Sequence, residues 1–363
     1  MSETEQILAK LSKLEEDQKN SNLTIQSLEN KITNLEIENI KLNQRIKALE
    51  RQNEKAEKQT KLINAPIITI KHDHTDWINT ICITKYNYIV TGSRDKSIKC
   101  SHYEDGVKFT IENAHSHEIN YIIQDKINNS NIFSCGGDGL IKYWSLDPIS
   151  FSDNYKLLFT IYGAHDNVKK CIILNNGNLC SCGRDGKIKF WSREDNNFTE
   201  LKSLTATKDY VQSIIEYKDK KLVSASWGTV NFWDIENFKL EKNIDDVSCH
   251  DGNSMIIYHN DTLITTDGSI FIFSLEKQQL IQRILIETEI DDELGVYGVC
   301  SFGDHYIITG GNSRKLEVFD MNDYQKIASR PVNDMFIFGI INDGPGYLVC
   351  GSESVFGFVM NEF

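Results

Sequence analysis

Two stretches of the chain carry the same polar signature at the same spacing. One runs from Ala114-His115 to Trp144 and the other from Ala164-His165 to Trp191. Their central parts read Ser134-Cys135-Gly136-Gly137-Asp138-Gly139-Leu140-Ile141-Lys142-Tyr143-Trp144 and Ser181-Cys182-Gly183-Arg184-Asp185-Gly186-Lys187-Ile188-Lys189-Phe190-Trp191. In both, Asp follows Ser by four residues and Trp follows Asp by six. The Asp-Gly pairs suit tight hairpin turns, and the β-branched and aromatic runs around them suit strands. Units of this kind recur through residues 62–363 with a period of about 40–50 residues, which marks a repeat architecture.

The other copies are worn. The first has His74, Thr91 and Asp95, with Ser101 where Trp would stand; the fourth keeps Ser224 and Trp233, with Thr207 in place of His and a shortened turn. The fifth ends at Phe273 after Thr266-Asp267-Gly268, and the sixth has Thr309-Gly310-Gly311 and Phe319-Asp320. The seventh offers Leu348 to Ser352 and then Val355 to Val359, with no further strand after it, while Ile67–Ile70 is a strand without a blade of its own.

These residues resemble the WD40-repeat family. The resemblance implies an all-β seven-bladed β-propeller over residues 61–363, in which Ile67–Ile70 completes the last blade and removes an exposed sheet edge. It implies that His115, Ser134, Asp138 and Trp144 form a structural hydrogen-bond network, and that His165, Ser181, Asp185 and Trp191 form another. It implies too that the narrow face, where the His-bearing loops and the hairpin turns lie, docks partner peptides. On this chain that face includes Trp77, Arg94, Glu118, Arg184, Asp209, Tyr210, Trp227 and Asn312. Trp77 and Trp227 stand out because neither occupies the structural Trp position. Phe336 is a further candidate, expected within a strand.

Residues 1–60 follow a different period. With Leu11 at heptad position a, the a and d positions include Ile25, Leu28, Ile32, Leu35, Asn39, Leu42, Ile46 and Leu49, and no Pro or Gly precedes Pro66. This predicts a long α-helical coiled coil, about 75–80 Å for some fifty residues. Ile at a with Leu at d, and Asn39 within the seam, favour a parallel dimer. In such a dimer Lys10 would face Glu15, Lys31 would face Glu36, and Arg45 would face Glu50, which selects a partner more than it stabilises. Gln18, Ser21 and Asn22 make a polar gap in the seam.

Charge narrows the partners. The net charge is −13, and residues 1–61 contribute equal numbers of acidic and basic groups, so the propeller region carries all of it. An acidic body disfavours nucleic acid and anionic membranes. No run approaches a membrane span, and the N-terminus lacks the apolar core of a signal peptide. The nine cysteines show no CxxC spacing, so the expectation is a cytoplasmic or nuclear protein with reduced thiols, Cys100, Cys135, Cys180, Cys182 and Cys350 serving as small core residues.

His115, Ser134 and Asp138 have the residue types of a hydrolase triad. The set recurs at His165, Ser181 and Asp185, as a fold-stabilising network does and a nucleophile does not. The Gly136–Gly139 turn is no phosphate loop, since no GxxxxGK[ST] exists. His102, His250, His259 and His305 stand isolated in sequence and are expected at the surface or packed rather than as metal ligands. The expectation is therefore a non-enzymatic protein-interaction scaffold without cofactor or metal, homodimeric through the coil and presenting two propeller faces. The alternative is a G-protein β-subunit-like signalling protein whose helix pairs with a small γ-like chain.

Overall fold

A computed structural model describes residues 3–64, 67–70, 74–84, 88–102, 106–146, 155–250, 254–286, 295–332, 336–342, 346–351 and 354–359. The chain divides into two units, Met1–Thr60 and Lys61–Phe363.

The first unit is helical, and its helix runs from Glu3 to Asn64. The polar gap does not interrupt it. Ser21 Oγ donates to the Asp17 carbonyl and Thr24 Oγ1 to the Asn20 carbonyl, both at 2.9 Å, so these hydroxyls bond back onto the preceding turn. Ile25, Leu28, Ile32, Leu35, Leu42, Ile46 and Leu49, which share the apolar stripe of the helix, are all exposed, from 44% for Ile46 to 59% for Leu35 and Leu49.

In the second unit the described strands form seven four-stranded antiparallel sheets. Six of these are blades built from one stretch of chain each, with strands in sequence order from the innermost outwards. The seventh is composite. Its inner three strands are Ile337–Asn342, Gly346–Gly351 and Ser354–Val359, and its outermost is Ile67–Ile70. Ile67 lies opposite Phe358 and Ile70 opposite Val355. The innermost strands are Ile78–Ile83, Ile119–Gln124, Val168–Ile173, Val211–Lys218, Met255–Tyr258, Val296–Phe302 and Ile337–Asn342. Each meets the next, and the last meets the first, so the sheets close into a propeller.

Two recurrent β-bulges shape the blades. One falls at the Trp position, between Tyr143 and Trp144, Phe190 and Trp191, and Phe232 and Trp233. It persists where the sequence has lost Trp, at Phe273, Phe319 and Ser101. The backbone irregularity therefore does not depend on an indole at this position. The aromatic at this position packs on the preceding blade: Trp144 joins Val90, Ile98 and Cys100, and Trp191 joins Phe133, Cys135 and Tyr143. At the seam between the first blade and the composite sheet, Ile78, Ile81 and Ile89 pack with Cys350 and Val355, and Ser101 supplies no ring there.

The second bulge lies near the start of the innermost strand. It falls between Ile78 and Thr80, Ile119 and Tyr121, Val168 and Lys170, Val211 and Ser213, Val296 and Gly298, and Ile337 and Gly339. The extra residue of each bulge is Asn79, Asn120, Lys169, Gln212, Tyr297 or Phe338. A bulge re-aims such a residue, and these six stand at one end of the ring.

Phe336 departs from expectation. It stands just before the strand Ile337–Asn342 rather than in it, because that strand begins only at its own bulge. Cys100, Cys135, Cys180, Cys182 and Cys350 are buried free thiols. The side chain of His102 and the residue Ser352 lie outside the described residues. No helix among the described residues is long and apolar enough to cross a membrane.

Candidate protein-interaction face

The loops at the bulged end are held by buried polar rings. His115 Nε2 bonds Ser134 Oγ at 2.7 Å, and the Trp144 indole N–H donates to the same oxygen at 2.9 Å. His115 Nδ1 bonds Asp138 at 2.9 Å, and Asp138 also accepts the Ser116 and Leu140 amides. His165 repeats the pattern, with Asp185 at 2.7 Å, Ser181 at 2.9 Å, and the Trp191 indole on Ser181 at 2.9 Å. In the first blade His74 bonds Asp95 and Thr91, each at 2.8 Å. The fourth blade has lost His yet keeps the Trp233 indole on Ser224 at 2.8 Å.

Such groups survive burial only because all are paired. His115 and Ser134 are fully buried, so the triad-like hydroxyl is not presented to any substrate. Burial lowers the pKa of the His115 ring, against the pull of Asp138. Burial opposes ionisation of Asp138, but the bonds from His115 and the two amides win and hold its carboxyl down at about 2. Gly136 is required by close approach, since a Cβ there would fall 2.2 Å from His115 Nδ1.

Around the mouth of the ring these loops leave a cavity of about 500 Å³. The bulged residues Asn79, Asn120, Lys169, Gln212 and Phe338 line it. Loop residues complete the wall, among them Arg94, Lys96, Glu118 and Trp227. The polar side is tied together: Asn79 donates to the Ile119 carbonyl at 3.0 Å and Asn120 to the Val168 carbonyl at 2.7 Å.

The other side is aromatic. His250 lies on Tyr297 at 4.1 Å, Tyr297 stacks on Phe338 at 5.4 Å, and Phe338 stacks on Trp77 at 5.1 Å. Phe336 meets Trp77 edge-on at 5.8 Å. Guanidinium groups cap this arc, Arg94 over Trp77 at 4.1 Å and Arg314 over Phe336 at 5.2 Å. A shorter arc lies across the mouth, where Tyr210 contacts Trp227 at 5.9 Å and Arg184 sits 4.8 Å over Tyr210.

Of the eight residues expected on this face, Arg94, Glu118 and Trp227 line the cavity, and Trp77 backs its aromatic wall. Trp227 is 54% exposed, whereas Trp77 is half-buried under its neighbours. Arg184 and Tyr210 adjoin Trp227. Asp209 is exposed, and its amide donates to Thr207 Oγ1 at 3.2 Å. Asn312 Oδ1 accepts the Gly295 amide at 3.0 Å, which holds a loop rather than facing the cavity. Sequence reasoning missed Tyr297 and Phe338 and treated His250 as isolated. Aligning the innermost strands at their second residue would have grouped Tyr297 and Phe338 with Asn79 and Asn120. His259 lies edge-on to Tyr258 and His305 edge-on to Tyr306. Among the described residues, no group of three or more His, Cys, Asp or Glu could hold a metal ion.

Residues 65–100 and 151–192 match the family model described as WD domain, G-beta repeat. The first stretch spans the His74, Thr91 and Asp95 ring and the second spans the His165, Ser181, Asp185 and Trp191 ring. No curated protein matches the chain. Repeated His-Ser-Asp-Trp rings, closed four-stranded blades and the two family-model matches identify the body as a β-propeller that carries WD40-type repeats.

Proposed function

We propose that the protein is a non-enzymatic scaffold in which the N-terminal helix pairs two copies and each propeller mouth engages a protein segment. WD40 propellers are typically protein-interaction scaffolds, and that general role extends to this chain. The observation that carries the reading is the mouth itself: an exposed Trp227 beside a cavity walled by stacked aromatics and arginines, the residue types that dominate binding hot spots. The exposed seam from Ile25 to Leu49 supports pairing, because a stripe of that length is stable in water only when covered. Two linked mouths raise avidity for a repeated target by roughly 10²–10⁴ where geometry lets both engage.

The test is affinity capture with quantitative mass spectrometry, comparing the full chain with Trp227→Ala and with a form lacking residues 1–60. Partners lost in both variants support the scaffold. An unchanged partner set would sink it, and a small helical chain co-purifying one-to-one with the seam would transfer the helix's role to a γ-like pairing.

A further inference from the structure

At the other ends of the same strands, away from the mouth, the third and fourth blades leave a groove of about 450 Å³. Its floor is apolar, formed by Leu174, Ile235, Phe190 and Phe238. Phe190 and Phe238 meet edge-on at 5.1 Å, so the floor is already packed and needs no rearrangement to receive a side chain. Leu201 forms one wall and is 53% exposed. Its exposure has a backbone cause. Lys202 pairs with Phe190 and Glu200 with Trp191, so Leu201 is the extra residue of the bulge at the Trp position.

The rim is acidic, with Glu216, Asp219 and Glu236. Glu236 is satisfied by Lys220. Glu216 and Asp219 make no ion pair among the described residues. Glu216 accepts the Asn175 amide at 2.7 Å, and Asp219 accepts the Asn175 side-chain amide at 3.1 Å. Burial pushes the Glu216 carboxyl above its ordinary value, and the neighbouring Asp219 charge adds to this against the Asn175 amide and Lys126. A carboxylate in that condition gains from an incoming cation.

We propose that this groove is a second docking site, separate from the mouth, for an extended protein segment bearing a lysine or arginine next to a bulky apolar side chain. The apolar side chain lies on Phe238 against Leu201, and the cation sits between Glu216 and Asp219. Charge complementarity selects this occupant. The acidic rim repels nucleic acid and anionic lipid, and the whole protein, at −13, draws basic segments towards it. The apolar floor rejects a segment that is merely basic, because seating one would leave that surface uncovered.

The experiment uses the full-length protein, immobilised and panned with a phage-displayed random heptapeptide library. Enriched peptides are then synthesised and measured by fluorescence polarisation against the wild type, Leu201→Ser, Glu216→Gln/Asp219→Asn and Trp227→Ala. The expected result is a peptide class pairing Lys or Arg with a large apolar residue. Its affinity falls about tenfold or more in each groove variant and is unchanged in Trp227→Ala. Added salt weakens the same peptides in the wild type but much less in the Glu216→Gln/Asp219→Asn form. Leu201→Ser alters an exposed side chain and so leaves folding intact, as a melting curve will verify. The proposal is overturned if no enriched peptide depends on Leu201 or on the carboxylates, or if the peptides that do so lack a basic residue. Peptides sensitive only to Trp227→Ala belong to the mouth and count against the groove while leaving the scaffold reading in place.

Discussion

Arg193 of the third blade forms a two-pronged ion pair with Asp125 of the second, at 2.6 and 3.0 Å. Tyr143 is bound into the same cluster. Its hydroxyl donates to Asp125 at 2.5 Å and accepts from Arg193 at 2.9 Å and from Asn131 at 2.6 Å. The Asp125 side chain is fully buried and that of Arg193 is 10% exposed. Burial alone would raise the Asp125 carboxyl, yet the Arg193 and Tyr143 bonds hold it below its ordinary value. Removing one partner strands a buried charge, so Arg193→Met should cost about 3–5 kcal/mol in urea unfolding. Arg193→Met combined with Asp125→Asn should recover part of that, because no orphaned charge remains. A double variant less stable than the single one would refute this account.

The polar rings make a graded prediction. Trp144→Phe keeps the ring packed on the first blade but removes the indole donor to Ser134. The loss should be about 1 kcal/mol, the net worth of one hydrogen bond. Ser134→Ala removes the oxygen that both His115 and Trp144 use and leaves two buried groups unpaired, so it should cost about 2–4 kcal/mol. Denaturant midpoints of the two variants, compared at equal slope, decide the order.

Acid should weaken the fold in two stages. Burial lowers the His115 pKa from its ordinary 6.5, so the folded ring stays neutral where the unfolded chain takes up a proton. That stability is complete above pH 6.5 and drains as the pH falls below it. Asp138 is held at about 2 against an ordinary 3.8, so its contribution is complete above 3.8 and disappears as the pH falls through 2. Both stages run the same way. Unfolding midpoints measured from pH 8 to pH 2 should be flat at the alkaline end and decline below 6.5; a midpoint that climbs between pH 7 and pH 5 contradicts the His115 assignment.

The helix predicts its own stoichiometry. Sedimentation of the full chain at micromolar concentration should give two copies per particle, and the form lacking residues 1–60 should give one. Asn39→Val should raise the melting temperature of the paired helix yet broaden its oligomeric state, because a buried polar group at position a specifies a two-stranded register at a cost in stability. A full chain that sediments as a monomer removes the two-headed scaffold.

The two candidate tryptophans should separate binding from folding. Trp227 is exposed and packs on Tyr210, so Trp227→Ala should weaken partner capture while shifting stability by no more than about 0.5 kcal/mol. Trp77 stacks on Phe338 and carries Arg94 on its other contacts, so Trp77→Ala should lower stability by about 1–3 kcal/mol as well. Isothermal titration with a captured partner, alongside thermal melts, distinguishes the two outcomes.

The parts of this architecture that were legible in the sequence are those fixed by local chemistry. The spacing of Ser134, Asp138 and Trp144 in one short span, with His115 just upstream, marks a blade because each residue bonds within that blade. The Ile and Leu periodicity of the helix is local in the same sense. The aromatic wall was hidden because Tyr297, Phe338 and Trp77 come from three different blades, Trp77 from the loop before its innermost strand, and touch only after the ring closes. The bulges that turn Tyr297 and Phe338 into the mouth have no residue signature, since Asn79, Asn120, Lys169 and Gln212 occupy the same register. The Arg193 and Asp125 pair was hidden for a similar reason, as neither residue belongs to the repeat pattern. Phe336 was misplaced because an apolar residue beside Ile337 continues a strand pattern, while the backbone has not yet begun to pair.

The composite sheet sets the order in which this molecule can mature. Ile67 leaves the ribosome early, but its pairing mate Phe358 is synthesised only after every intervening blade. Until then Ile67–Ile70 is an unmated edge, and each completed blade can dock only on its predecessor. Latching the two ends is thus the longest-range event in assembly, and the slowest step is expected there. Lesions in either latch strand would then act late, yielding chains whose blades are formed but whose circle stays open.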